Sequence, residues 1–248
     1  MEIIDIHCHA LLGADDKATD IEEAKRMLDT AYSDGIRAIC FTPHFKVQSF
    51  ADSDSVEAFD KQIQAYFDEI NSFARENYQD LPIYLGCELL YHSESIELPI
   101  SNPLRRINGG SYVLIEFYPE VSIYEMRNAV TRILRKGFVP IIAHIERYTA
   151  LINRPNFAWD LREYGALLQA DAKYVAKMRL GKISRFLKHM FRKSYIDVVA
   201  SNSHNSQSYK HIMTKAAKRI CYLYGKEMAE RVLYSTPKSI IENKKLLR

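Results

Sequence analysis

Seven short apolar runs recur along the chain, and each leads into a side chain able to bind a metal. Residues 3–6 lead into His7 and His9, 38–42 into His44, 83–87 into Glu88, and 112–115 into Glu116. Further on, 139–143 lead into His144, 166–170 into Asp171, and 198–201 into Asn202 and His204. Runs of this length and apolarity read as buried strands. Between them the period becomes helical. Phe59, Ile63, Phe67, Ile70 and Phe73 recur at intervals of three and four, which predicts a long helix over 55–77 with one buried face. Ser122 and Glu125 have the spacing of a capping box for a helix that Gly137 stops. Asp20, with Glu22 and Glu23 in the first turn, starts another that Gly35 closes. Pro155 opens a shorter helix ending near Gly165, and two more are predicted over 174–192 and 206–224.

Strand and helix therefore alternate, which predicts an α/β fold with parallel pairing and right-handed crossovers. Seven units predict a barrel lacking one of the usual eight strands, although an open doubly wound sheet gives a similar string. In a barrel the carboxyl ends of all strands converge on one face, so the seven sets of polar tips become neighbours.

The chain has 248 residues, 47% of them hydrophobic, and no Gly/Ser- or Pro-rich linker, so one domain spanning 1–248 is expected. It has neither a basic N-terminal region followed by an apolar one nor a stretch of eighteen uncharged apolar residues. A soluble cytoplasmic protein without membrane insertion is the reading. Cys8, Cys40, Cys87 and Cys221 fall in apolar runs or a helix and are read as reduced, packed thiols. The net charge of +3 diagnoses nothing, but from Lys173 to Lys193 bases recur without an acid. That run is either a solvated helical face or a docking surface for an acidic or phosphorylated partner. Without interleaved aromatics it does not point to nucleic acid.

Side chains alternate along a strand, so His7 and His9 share a face as a chelating pair while Cys8 points away. A charged Glu88 or Glu116 at the end of a buried strand needs a partner, and a divalent cation supplies one. Mixed imidazole and carboxylate donors suit manganese, iron or zinc better than calcium or copper. Two or three such ions would activate water, orient a scissile group and neutralise its charge, most often on a phosphate ester. Arg147, three residues past His144, is placed to grip the phosphate.

Asp5-Ile6-His7-Cys8-His9, Asp15-Asp16, Thr42-Pro43-His44, Gly86-Cys87-Glu88 and Leu114-Ile115-Glu116-Phe117 appear in that order. Ala143-His144-Ile145-Glu146-Arg147-Tyr148 and Ala200-Ser201-Asn202-Ser203-His204-Asn205 follow. From residue 2 to about residue 205 this series resembles the manganese-dependent bacterial tyrosine phosphatases of the PHP (polymerase and histidinol phosphatase) superfamily. These are capsule and exopolysaccharide regulators of the CpsB type. The resemblance implies a distorted (β/α)7 barrel of the PHP type with a trinuclear site. His7, His9 and Glu88 would hold the first ion, Glu88, Glu116 and His144 the second, and Asp16, His44 and His204 the third. It implies catalytic roles for Arg147, Asp16 and His44, and as substrate a phosphotyrosine protein, notably the tail of a bacterial tyrosine kinase. Association into oligomers stays open.

The chain departs from that pattern at several positions. Asn202 stands where the family usually has Asp as a fourth ligand of the first ion, and Asp171 where it commonly has Asn, as if the carboxylate had changed strands to become a ligand. Tyr209 and Lys210 stand where a second phosphate-binding arginine is expected, which leaves Lys210 as the substrate-binding cation. Lys17, Phe45 and Ile145 also differ without removing a ligand.

A cysteine-dependent phosphatase is disfavoured, because it needs Arg six positions after Cys and Cys8 meets Ala14. The alternatives are a small-metabolite phosphatase of the histidinol-phosphatase type and a weakly active member acting as a binding scaffold. His92, His189 and His211 read as surface or supporting residues. Tyr91, Tyr118 and Tyr148 either shape the mouth of the pocket or simply pack.

Overall fold

A computed structural model of the chain describes residues 1–11, 21–92 and 100–246. Among these residues nine strands pair, all in parallel, in two sheets. β1 (Ile3–Cys8), β2 (Ile36–Phe41) and β4 (Ile83–Leu85) form one in the order β1-β2-β4. β3 (His44–Phe45), β5 (Glu88–Leu90), β6 (Tyr112–Glu116), β7 (Val139–Ile142), β8 (Leu167–Asp171) and β9 (Val198–Ala200) form the other, in sequence order.

The second and third apolar runs are thus each split in two, and the splits shape the molecule. Pro43 has no N–H for a ladder, so β2 ends at Phe41 and the chain resumes pairing as β3. Gly86 divides β4 from β5; a Cβ there would sit 3.2 Å from both the Arg106 carbonyl oxygen and the Ile107 Cα. Across the break Gly86 N–H donates to the Phe41 carbonyl (2.9 Å) and Glu88 N–H to that of Pro43 (3.1 Å). The bend brings His44 and Glu88 opposite one another in the second sheet.

The sheets curl into a half-barrel whose free edges meet at their carboxyl ends. Cys8 bridges Ser203, the His9 N–H donates to the Ser203 carbonyl (2.9 Å), and the Asn202 N–H donates to that of His7 (2.8 Å). Asp5, fully buried, ties the same seam, accepting from Ser201 N–H (2.9 Å) and from the Tyr209 hydroxyl (2.8 Å). Inside the curl Ile4, Ile6, Cys40, Leu114, Ile141 and Val198 form an apolar cluster, closed from below by Ile240 and Ile241. A larger cluster fills the space between strands and helices.

The helices are α1 (Ile21–Ser33), α2 (Ser53–Asn77), α3 (Ile123–Arg135), α4 (Thr149–Asn153), α5 (Asn156–Glu163) and α6 (Ala172–Ala176). After them come α7 (Lys182–Arg192), α8 (Ser206–Tyr209), α9 (Ile212–Tyr224), α10 (Lys226–Glu230) and, past a π-helical turn, α11 (Thr236–Ile241). The Ser122–Glu125 capping box opens α3, and a second box, Asp52 with Ser55, opens α2. The cap at Asp20 lies outside the described residues. Two predicted helices are broken where a residue takes a left-handed conformation: Gly181 (φ 101°) separates α6 from α7, and His211 (φ 60°) precedes α9. Among the described residues no helix is long and apolar enough to cross a membrane.

Candidate metal centre and phosphate pocket

The carboxyl ends of the strands deliver the site. His7 is the penultimate residue of β1 and His9 lies just beyond it, His44 opens β3, Glu88 opens β5, and Glu116 ends β6. His144 follows β7, Asp171 ends β8, and Asn202 and His204 follow β9. His144 (φ 33°) and Asn202 (φ 48°) are left-handed without being glycine, a strain of the order of 1 kcal/mol or more each that turns the chain sharply at the rim.

Glu88, fully buried, is the centre. Its Oε2 lies 3.3 Å from His7 Nε2, 3.3 Å from His9 Nε2 and 3.1 Å from His44 Nδ1, and its Oε1 lies 2.8 Å from His144 Nε2. Glu116 reaches His44 Nδ1 with one oxygen and His144 Nε2 with the other, each at 3.6 Å. The rings of His9, His44 and His204 cluster in a triangle, with centroids 4.2 Å from His9 to each of the other two and 5.5 Å between those two. Among the described residues three groups have ligand atoms within 4.8 Å of one another: His7, His9 and Glu88; His44, Glu88 and Glu116; His9, His44 and His204. Shared members make these one cluster.

The donors fit a polynuclear cation site. His7 Nε2 and His9 Nε2 face each other at 3.0 Å, and among the described residues Glu88 Oε2, His44 Nδ1 and Asn202 Oδ1 are buried without a well-formed hydrogen bond. Each such orphan costs about 1–3 kcal/mol, and a divalent ion among them satisfies several at once. Burial opposes charge on His44 and His144, but Glu116 and Glu88 outweigh it and raise both to about 10. Burial likewise opposes charge on Glu88, and the surrounding His7, His144 and His44 still hold it well below the usual carboxylate range.

Gln169, a residue the sequence reading passed over, orients this cluster. Its Oε1 accepts the His144 N–H (3.2 Å), which fixes the amide, and lies 2.9 Å from His7 Nδ1. His7 then keeps a proton on Nδ1, so Nε2 is the nitrogen it offers to an ion beside Glu88. The only sign in the sequence was a polar residue on the inward face of the β8 run, two before Asp171. Tyr148, one of the tyrosines left between packing and pocket, is fully buried; its hydroxyl accepts from Phe117 N–H (3.1 Å) and lies 3.2 Å from His144 Nδ1.

Asp171 falls in none of the three groups. It accepts from Arg147 Nη2 (3.0 Å), Asn202 Nδ2 (3.1 Å) and Gln169 Nε2 (3.1 Å), so it steers the half-exposed Arg147 and leaves the Asn202 amide oxygen as the orphan. Arg147, Asp171, Asn202 and His204 line a cavity of about 460 Å³ beside the cluster. Lys210, exposed past α8, does not line it; Lys173 and Lys177 do. Tyr209 is buried on Asp5 and takes no part in the pocket. Asp16 lies outside the described residues. Cys8 is fully buried, with its thiol pushed well up by burial, unlike a nucleophile.

A parallel half-barrel with imidazoles and carboxylates at its carboxyl rim belongs to a fold class of metal hydrolases. A crystal structure of histidinol phosphate phosphatase from Lactococcus lactis, complexed with zinc, L-histidinol and phosphate, shares this fold. Its TM-score is 0.54 and its identity 15%, over 88% of this chain and 93% of that one. The model of the capsular polysaccharide synthesis family CpsB/CapC matches residues 3–242, and the chain belongs to that family. Tyrosine-protein phosphatase CpsB of Streptococcus pneumoniae is 31% identical over 244 residues, 96% of this chain and 98% of that protein. A chain from the crystal structures of YwqE from Bacillus subtilis and CpsB from S. pneumoniae, metal-dependent tyrosine phosphatases, superposes with TM-score 0.83. That match has 25% identity and covers 99% of this chain and 97% of the other.

Proposed function

We propose that this protein is a metal-dependent protein-tyrosine phosphatase, a cytoplasmic phosphoric monoester hydrolase that uses manganese. Its substrate would be the phosphorylated tail of a bacterial tyrosine kinase in capsular or exopolysaccharide assembly. Residues 1–248 would form one domain, a distorted (β/α)7 barrel in which the split second and third runs count as single bent strands. The observation that carries the reading is the Glu88 carboxylate, buried and faced by His7, His9, His44 and His144. Family membership and the likeness to named tyrosine phosphatases along almost the whole chain support it.

His7, His9 and Glu88 would hold one ion, with Asn202 Oδ1 as a neutral further donor. Glu88, Glu116 and His144 would hold a second, and His44, His204 and Asp16 a third. A bound cluster would supply water activation and charge neutralisation at the phosphoryl group. The chain's own residues do the rest. Gln169 keeps the His7 proton on Nδ1, away from the ions. Arg147 spends one N–H on Asp171 and offers its other donors to the phosphate oxygens. A phenolate leaves without an acid catalyst, so none is needed.

The test is turnover of a phosphotyrosine peptide and of histidinol phosphate by chelated protein resupplied with manganese, iron or zinc. Peptide hydrolysis lost on chelation and restored by manganese is expected. Preference for histidinol phosphate would replace the substrate class, and absence of turnover with every metal would leave a scaffold role. Alanine at His44 or at Arg147 is expected to lower turnover by about 10² or more.

A further inference from the structure

The basic run that follows Asp171 divides into two parts with different surroundings. In α7 it is a solvated face: Phe186, Leu187, Met190 and Phe191 are buried, while Arg185 and Arg192 point outward. Lys182 Nζ donates to Asn153 Oδ1 (2.5 Å) and Lys188 Nζ to the Arg179 carbonyl (2.6 Å), so both are engaged away from the metal cluster. Lys173 and Lys177 stand apart. They are four residues apart at α6, hence side by side, and both are exposed. Both line the cavity of about 460 Å³ that Arg147, Asn202 and His204 border.

The charge of that cavity is unbalanced. Asp171 is the one acid among the described residues that line it, and its oxygens are already taken by Arg147, Asn202 and Gln169. Among the described residues neither lysine has an ion pair or hydrogen bond. Two cations therefore stand at the mouth of the site unpaired with any described anion of the chain. A phosphotyrosine that reaches Arg147 and the cluster brings its flanking residues over this rim, since an extended peptide advances about 3.3 Å per residue.

We propose that Lys173 and Lys177 form an anion subsite that recognises acidic side chains flanking the phosphotyrosine, and so set the peptide specificity of the phosphatase. The inference rests on the phosphatase reading above. Lysines on flexible, solvated stems contribute mainly to encounter and binding, and salt screens them, so the preference belongs to KM and to low ionic strength.

The test uses phosphotyrosine peptides flanked by Glu, Gln or Lys, with p-nitrophenyl phosphate as a substrate lacking flanks, on the manganese-loaded protein. The wild type is expected to favour the Glu-flanked over the Gln-flanked peptide by about tenfold in kcat/KM, mostly through KM, and to lose the preference near 0.5 M salt. The Lys173→Ala/Lys177→Ala variant is expected to lose the preference yet keep wild-type turnover of p-nitrophenyl phosphate. The Lys173→Glu/Lys177→Glu variant is expected to favour the Lys-flanked peptide. A preference that survives both variants overturns the subsite, and so does an equal loss on p-nitrophenyl phosphate, which would put the lysines on the scissile phosphate. Fluorescence anisotropy of the same peptides reads the subsite without turnover. Glu-over-Gln binding that depends on the lysines, with no hydrolysis of any ester, would sink the phosphatase reading and keep the subsite; wild-type binding blind to the flanks would sink the subsite.

Discussion

Gln169 makes the orientation of the His7 imidazole, and the path of the backbone at His144, depend on one neutral amide. Its Oε1 serves His7 Nδ1 and the His144 N–H, and its Nε2 serves Asp171. Leu at this position keeps the bulk and removes all three contacts, so Gln169→Leu is expected to weaken manganese binding by about 10–100-fold while the fold survives. A metal titration of the variant decides it, and wild-type affinity would show that His7 is held by packing alone. Asp171 offers a contrasting case, because it touches Arg147 and Asn202 but joins none of the metal-binding groups. Asp171→Ala is expected to raise KM by about tenfold with metal stoichiometry unchanged, as befits a residue that aims an arginine. A lost ion, measured by elemental analysis, would make Asp171 a ligand instead. Both cases mark the limit of reading single residues from sequence. The apolar runs pointed to His7, Glu88, Glu116 and His144 because a charge at the end of a buried strand stands out. Gln169 carries no charge, and partners 162 residues apart in the chain leave no periodic trace.

At the scale of elements, the seven runs and the capped helices were legible because strands buried on both faces read as unbroken apolar runs and half-buried helices carry a period of 3.6. The breaks inside them were not, since an apolar run reads the same whether its two halves pair with one neighbour or with two. Thr42-Pro43 and Gly86-Cys87 were in view as part of a motif, yet their work is geometric: they bend two strands so that His44 faces Glu88. The same holds at Gly181, where a glycine inside a basic helical pattern is in fact a left-handed break between α6 and α7. Lys173 and Lys177, before the break, line the pocket, whereas Arg185 and Arg192, after it, face solvent. Gly86→Ala tests the strand bend. The new Cβ would meet backbone atoms at 3.2 Å that cannot swing aside, so destabilisation of about 1–3 kcal/mol is expected, together with weaker manganese binding as Glu88 shifts. A melting temperature and metal affinity equal to wild type would show that the β4–β5 junction has slack.

Over the whole molecule, proton and metal compete for one set of nitrogens, and the direction of that competition can be worked out. His44 and His144 have pKa values near 10 because the carboxylates of Glu116 and Glu88 outweigh their burial. In the unfolded chain both titrate near 6.5. A folded value raised above the unfolded one gives stability that is complete below about pH 6.5 and fades as pH rises towards 10. Chelated protein should therefore melt at progressively lower temperature across that window. Metal binding runs the other way, since each imidazole must shed its proton before it can ligate, and shedding becomes cheaper as pH rises. The difference in melting temperature between manganese-loaded and chelated protein is thus expected to widen from about pH 6 to about pH 8.5, with protons released on loading. Scanning calorimetry of both forms over this range, with titration calorimetry in buffers of different ionisation enthalpy, measures both quantities. A difference that stays flat or narrows with pH, or loading without proton release, would mean that Glu88 and Glu116 do not hold these histidines charged and that the cluster is arranged around some other partner.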